Sequence, residues 1–181
     1  MLLGERVALR ARIESDVPVL HEELYGDVAT RSRSDSRPWR PVPLESGQSP
    51  YRVRPPEDGF AEFSVLERAG GAATGGELAG EALLWGIDAH HRMAHIGLSL
   101  RPSFRGRGLA ADVVAVLCRY GFETLGLHRL QIETLADNAA MIATARRNGF
   151  AVEGTLREAA WVSGRFVDEV VLGLLSPGRL G

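Results

Sequence analysis

The sequence predicts one α/β domain built on a mixed, mostly antiparallel sheet. Three observations carry this. Between Phe60 and Leu100, three runs of strand character follow one another, separated by glycine-rich or polar turns, which is the pattern of an antiparallel meander. After Pro102 the apolar period changes to that of a helix and then returns to a strand, giving one strand–helix–strand crossover. The chain has 181 residues, 45% of them hydrophobic, which suits a single domain over 1–181 that buries its own core.

The elements follow in order. Glu5 to Arg12 alternates, with Val7, Leu9 and Ala11 on one side, and reads as a strand. Ser15 is placed as an N-cap, with Asp16 and Pro18 in the first turn of a helix carrying Val19, Leu20 and Leu24. From Thr30 to Gly59 the pattern is lost. Pro38, Pro41, Pro43, Pro50, Pro55 and Pro56 disfavour a regular helix or inner strand there. Residues 30–59 therefore read as one long proline-rich loop, of a length usually kept for function.

The meander strands are Phe60 to Glu67, Glu77 to Ile87 and His95 to Leu100. Gly70 to Gly76 and Asp88 to Arg92 are the turns between them. Leu109 to Leu125 places Leu109, Val113, Val116, Leu117 and Tyr120 on one helical face. A strand over Leu130 to Leu135 and a short helix over Asn138 to Arg147 follow. Asn148-Gly149 ends that helix with a residue suited to the left-handed C′ position. Two strands, around Phe150 to Arg157 and Phe166 to Leu175, complete the domain.

Composition narrows the function. The formal net charge is -2, so nothing global favours nucleic acid or an anionic membrane. All basic residues are arginine. Cys118 is the only cysteine, which excludes an internal disulfide and a cysteine-based metal site. No apolar run resembles an export signal or is long enough to span a bilayer. The expected location is the cytoplasm.

The sharpest local feature is Arg105-Gly106-Arg107-Gly108-Leu109-Ala110, at the start of the long helix. Glycines allow a tight turn and a close ligand approach. The first amides of a helix lack intrahelical partners, and the helix dipole adds positive charge beside them. The combination suits a pyrophosphate. Two other readings remain at this point. The turn can serve geometry alone. Alternatively, Gly106-x-Gly108-x-x-Ala111 fits a dinucleotide fingerprint, with Glu133 as its ribose-binding acid. The preceding meander and the roughly 70 residues that follow do not suit the several βαβ units of such a domain.

Several motifs taken together resemble the GNAT superfamily of N-acetyltransferases, most closely its ribosomal-protein-alanine (Rim-type) branch. Arg105-x-x-Gly108-x-Ala110 is similar to the superfamily's Gln/Arg-x-x-Gly-x-Gly/Ala. Ala94-His95-Ile96-Gly97-Leu98 resembles the branch's Ala-Glu-Ile-Gly-Tyr strand, and Gly126-Leu127-His128-Arg129-Leu130 its Gly-Leu-His-Arg-Ile. Asp137-Asn138 followed by Asn148-Gly149-Phe150 resembles its Asn-x-x-Ser … Gly-Phe segment. Glu153 to Arg157 and Gly164 to Asp168 resemble its C-terminal hairpin. The match runs from about Glu77 to Leu175.

The resemblance implies a sheet whose central parallel strand pair splays apart, with helices on both faces. Acetyl-CoA would act as co-substrate in that wedge. Arg105, Gly106, Arg107, Gly108, Leu109 and Ala110 would hold its pyrophosphate. Backbone of Leu98, Ser99 and Leu100 would pair with the pantetheine arm, and Asn138 would contact the cofactor from the other side. The implied reaction is direct attack of an amine on the thioester. Its partners would be a CoA thioester and an amine acceptor, with no nucleic acid and no membrane. A homodimer is left open.

Direct attack needs a base and no enzyme nucleophile. Cys118 therefore reads as a buried structural thiol. His95 stands where the branch carries a glutamate, and its ordinary pKa near ~6.5 suits a base at neutral pH. Asp88 and Glu81 are secondary candidates. His90 and His91 read as an exposed turn with no metal-ligand set, so no metal is expected. Met141 replaces the branch's serine and cannot donate a proton, which leaves Thr144, Tyr120 or water as the acid. On the acceptor side, Arg37-Pro38-Trp39-Arg40-Pro41 resembles the branch's Pro-Trp-Arg-Pro stretch. Trp39, Arg40 and Tyr51 are the expected acceptor surface, with Arg157, Trp161 and Arg165 within possible reach. The departures at His95 and Met141 keep a non-catalytic acyl-CoA sensor open as an alternative to the enzyme. The dinucleotide-binding domain is a third reading.

Overall fold

The computed structural model describes residues 1–35, 37–68 and 75–177. Eight strands form one sheet in the order β1-β2-β3-β4-β5-β6-β8-β7. They are β1 (Leu2–Leu3), β2 (Val7–Arg10), β3 (Phe60–Glu67), β4 (Glu77–Asp88), β5 (Met93–Leu100), β6 (Arg129–Leu135), β7 (Ala151–Val162) and β8 (Arg165–Leu175). Every neighbouring pair is antiparallel except β5 and β6. The predicted mixed sheet with one crossover is the observed fold.

The crossover is α3 (Leu109–Arg119), continued by a π-helical turn over Tyr120–Thr124. With α4 (Ala139–Arg147) it covers one face of the sheet. Ala94, Ile96 and Leu100 of β5 point into that core beside Leu109, Val113 and Leu117. Because side chains alternate along a strand, His95, Gly97 and Ser99 point to the opposite face. That face carries α1 (Asp16–Leu20), its π-helical continuation His21–Tyr25, and α2 (Val28–Ser34). Leu20, Leu24, Tyr25 and Tyr51 form a second apolar cluster there, with Trp39 packed against it. Each aromatic ring removes about 150–250 Å² from water.

Three expectations change. The proline-rich loop is not irregular throughout: α2 occupies its start, before the first proline, with the Asp27 carboxylate accepting from the Thr30 amide at 3.1 Å. Its sequence buries no residue, so no apolar period announces it. Ser15 makes no side-chain cap. Asp16 does the local work instead, buried between Arg10 at 2.7 Å and the Ser64 hydroxyl at 2.7 Å, and accepting from the Ile13 amide. Finally, β7 and β8 extend to a tight turn in which Ser163 and Gly164 both have positive φ. The predicted turn at Gly70 lies mostly outside the described residues. Among the described residues no helix is long and apolar enough to cross a membrane.

Candidate active site

Strands β5 and β6 pair only from Met93, Ala94 and His95 to Arg129, Leu130 and Gln131. Beyond His95 they part. β6 then stays with β8 along its whole length, and β5 stays with β4 up to Leu100. The β6-facing edge of Ile96 to Leu100 is thus left without a strand partner. An extended ligand with amide groups can complete such an edge as a strand would. Leu98, Ser99 and Leu100 therefore lie where the sequence places the cofactor arm.

The mouth of this wedge is the turn before α3. Gly106 and Gly108 have φ of 71° and 78°, a left-handed conformation that favours glycine. Gly108 caps α3 without any side-chain hydrogen bond, and beside it the Arg6 guanidinium donates to the Arg107 carbonyl at 2.6 Å. The acid in that first turn, Asp112, is directed away from the mouth. Its carboxylate accepts from the amides of Glu5, Arg6 and Val7 at 3.1, 2.7 and 2.9 Å. The positive end of α3 is thereby left for an anion. Arg105 donates to the Leu100 carbonyl at 2.9 Å, and Arg107 pairs with Glu67 at 2.7 Å. Both arginines shape the turn as well as charge it.

Asn138 stands at the other lip. It caps α4, accepting from the Met141 amide at 3.2 Å and donating to the Thr134 hydroxyl at 3.0 Å. α2 crosses between the lips. Asp27 and Thr30 meet Arg105 at 3.8 and 3.5 Å, and Arg33 meets Asp137.

His95 marks the point of divergence. Its ring stacks on Trp85 with centroids 4.1 Å apart and planes 20° from parallel. Opposite it, β4 bulges. Gly86 takes a φ of 59° at the bulge, and a Cβ there would stand 3.3 Å from the histidine ring. Bulges commonly re-aim side chains beside active sites. The ring's Nδ1 is buried without a hydrogen bond, and Glu133 Oε1 lies 3.6 Å away. A shift of about half an ångström would make this a hydrogen bond. Burial holds the His95 pKa below its ordinary value, Glu133 pulls it partly back up, and Arg129 adds to the lowering. The ring is therefore neutral, as a base must be. The sequence offers Glu133 only as a ribose ligand of the dinucleotide reading; the placement of β6 beside β5 brings it to the histidine.

The other expected acids and bases do not converge here. Asp88 serves the β4–β5 turn, accepting from the His91 amide and ring, both at 2.8 Å. Glu81 is buried and paired with Arg12 at 2.8 Å, while Arg12 also holds Glu62 at 3.2 Å. Burial pushes the Glu81 carboxyl up. It braces the sheet beneath α1 and α2. Tyr120 packs edge-on to Phe63 in the α3 core, at 5.4 Å between centroids, away from the wedge. Cys118 is pushed up to about 12 by burial and is no nucleophile. Tyr51 is buried too, with its hydroxyl 3.4 Å from Arg31. It supports the acceptor side from beneath and is not surface. Trp39 donates to the Tyr25 carbonyl at 3.0 Å, and Arg40 is exposed beside it. Trp161 meets Phe166 edge-on at the exposed hairpin, and Arg165 reaches Asp137 at 3.8 Å. Among the described residues, no group of three His, Cys, Asp or Glu side chains is placed to hold a metal.

A model of the acetyltransferase (GNAT) domain matches residues 6–151. The chain belongs to this family. Spermidine N(1)-acetyltransferase of Escherichia coli K12 is 30% identical over 125 residues, which are 64% of this chain and 67% of that protein. The ribosomal-protein-serine acetyltransferase of the same strain is 29% identical over 82 residues, 45% of this chain and 46% of that protein. Among solved structures, the Vibrio cholerae spermidine N-acetyltransferase in complex with CoA and spermine superposes with a TM-score of 0.80 at 23% identity, covering 94% of this chain and 95% of that one. RimL, a ribosomal L7/L12 alpha-N-protein acetyltransferase in complex with coenzyme A, gives 0.76 at 24%, covering 94% of each chain. At these identities the structures speak for the fold. The family assignment makes this GNAT protein an acetyl-CoA-dependent N-acetyltransferase and sets aside the dinucleotide-binding alternative.

Proposed function

We propose that acetyl-CoA lies in the wedge between β5 and β6 and that an amine reaches its thioester from the α1–α2 face. The observation that carries this is the end of β5–β6 pairing at His95, with a glycine-built helix start at the mouth. The pyrophosphate is held by the amides from Arg105 to Ala110. The pantetheine arm pairs with Leu98 to Leu100, and a backbone N–H of that segment polarises the thioester carbonyl. Asn138 lines the opposite lip. His95, neutral and held by Trp85 and Gly86, takes the proton of the attacking ammonium directly or through a water. Glu133 stabilises the imidazolium that forms. The amine nitrogen then bonds to the acetyl carbon, the carbon–sulfur bond breaks, and the nitrogen's second proton passes through water to the departing thiolate. Met141 is apolar at the position of the branch's serine, and Tyr120 is remote, so no side chain is assigned as acid.

The acceptor is a primary amine, either a protein N-terminus or a small molecule. Relatives named for spermidine and for ribosomal proteins support both classes. Trp39 and Arg40 form its wall. The test is thiol release from acetyl-CoA with a panel of peptides and small amines, alongside thermal shifts with CoA. CoA stabilisation without turnover on any amine would favour a sensor instead.

A further inference from the structure

Outside the wedge, the proline-rich segment holds a cavity of about 510 Å³. Five arginines line it: Arg31, Arg37, Arg40, Arg52 and Arg54. One acid, Asp35, faces them, and Tyr25 and Trp39 supply aromatic walls. In a chain of formal charge -2, this is a strong local reversal. Asp35 is already engaged by Arg31 and by Arg37. Arg40, Arg52 and Arg54 have no carboxylate within 4.0 Å among the described residues. Arg52 and Arg54 donate to the carbonyls of Ser49 and Pro50, at 3.3 and 2.9 Å, and Arg54 also lies over the Phe60 ring. The Nε of Arg54 is buried without a hydrogen-bond partner. Such a donor costs free energy unless an acceptor meets it. Guanidinium groups match carboxylate and phosphate oxygens in pairs of hydrogen bonds.

The cavity shares a wall with the wedge. On α2, Asp27 and Thr30 face Arg105 at the mouth, while Arg31 faces the cavity. Arg31 also lies over the Tyr51 ring and acts on Glu81, whose strand partner is Ser99 of β5. A ligand seated in the cavity is thus one helix away from the cofactor segment.

We infer that this cavity binds the negatively charged part of the acceptor, so that the substrate is an amine carrying carboxylate or phosphate groups. A polyamine would meet five like charges there. The inference rests on the wedge holding acetyl-CoA and on the proline-rich segment lying on the acceptor side. The anion can belong to an acidic peptide or to a small metabolite.

The experiment measures kcat/KM for matched acceptors. Two peptides share an N-terminal serine and differ in having aspartates or lysines next. Phosphoethanolamine and spermidine form the small-molecule pair. The acidic member of at least one pair should be preferred by about tenfold or more, and salt should erode the preference. The pair that shows it identifies the source of the anion. The double variant Arg40→Glu, Arg52→Glu, checked for folding by its thermal shift with CoA, should abolish or reverse the preference. Equal rates, a preference for lysines and spermidine, or an acid preference that survives the double variant would each overturn the inference. If no amine is acetylated, the transfer reading fails separately. Citrate titrated against the CoA-saturated protein then decides the site by tryptophan fluorescence. Quenching lost in both Trp39→Phe and the double variant upholds the cavity as an anion site, and no quenching refutes it.

Discussion

The two halves of the proposed site, one for the donor and one for the acceptor, are built from different materials. The donor half is backbone: an unpaired strand edge from Ile96 to Leu100, glycines at Gly106 and Gly108, and the open amides of α3. The acceptor half is side chain: arginines, Tyr25, Trp39, and a buried Arg12–Glu81 pair beneath them. A constant ligand can be read by peptide groups, which every sequence carries and only glycine geometry must protect. A ligand that differs between relatives has to be read by side chains. The donor half therefore rests on glycine placement, and the acceptor half on the choice of side chains.

That contrast can be broken at four places. His95 stands where the halves meet, so His95→Ala should lower kcat by about 10²–10⁴-fold while the CoA thermal shift persists. An unchanged kcat would remove the base assigned here. Arg12→Ala should cost about 3–5 kcal/mol, because it strands Glu81 and Glu62 as buried charges. Chemical denaturation reads this directly, and a loss below 1 kcal/mol would show that the pair does not brace the acceptor half. Gly108→Val strains the left-handed cap by about 1–2 kcal/mol and should raise KM for acetyl-CoA by about tenfold, with acceptor KM little changed. Equal effects on both would mean that the halves are not separable. The smallest effect is Glu133→Gln. His95 works as a neutral base, so activity falls as pH drops through its pKa, which burial sets below the ordinary histidine value. Glu133 raises that pKa. Removing its charge should move the acid limb of the kcat/KM profile to lower pH, and a limb that stays put would separate Glu133 from His95.

The same contrast governs what was legible in the sequence. The meander, the crossover helix and the glycine turn before it rest on period and glycine placement, both local, and each is found where expected. His95 was legible as a candidate because it breaks a strand motif. Glu133 as its neighbour was not, because that contact depends on the register of β6 on β5, across a helix of intervening chain. Glu81 is a similar case: as a candidate base it was legible from its residue type, but its pairing with Arg12 is decided 69 residues away. The α2 helix was invisible for a different reason: none of its residues is buried, so it has no apolar period to read. The cationic cavity likewise assembles arginines from residues 31 to 54, which in linear order resemble any polar loop.

The clasp on Asp112 has a consequence for how the chain is made. The amides of Glu5, Arg6 and Val7 are held by a carboxylate some hundred residues later. During synthesis at about 5–20 residues per second, that partner appears several seconds after the amides do. β1 is two residues long, while β2 also pairs with β3 and buries Val7 and Leu9 in the main core. The clasp therefore forms only once α3 has been made, and it ties the start of the chain to the first turn of that helix.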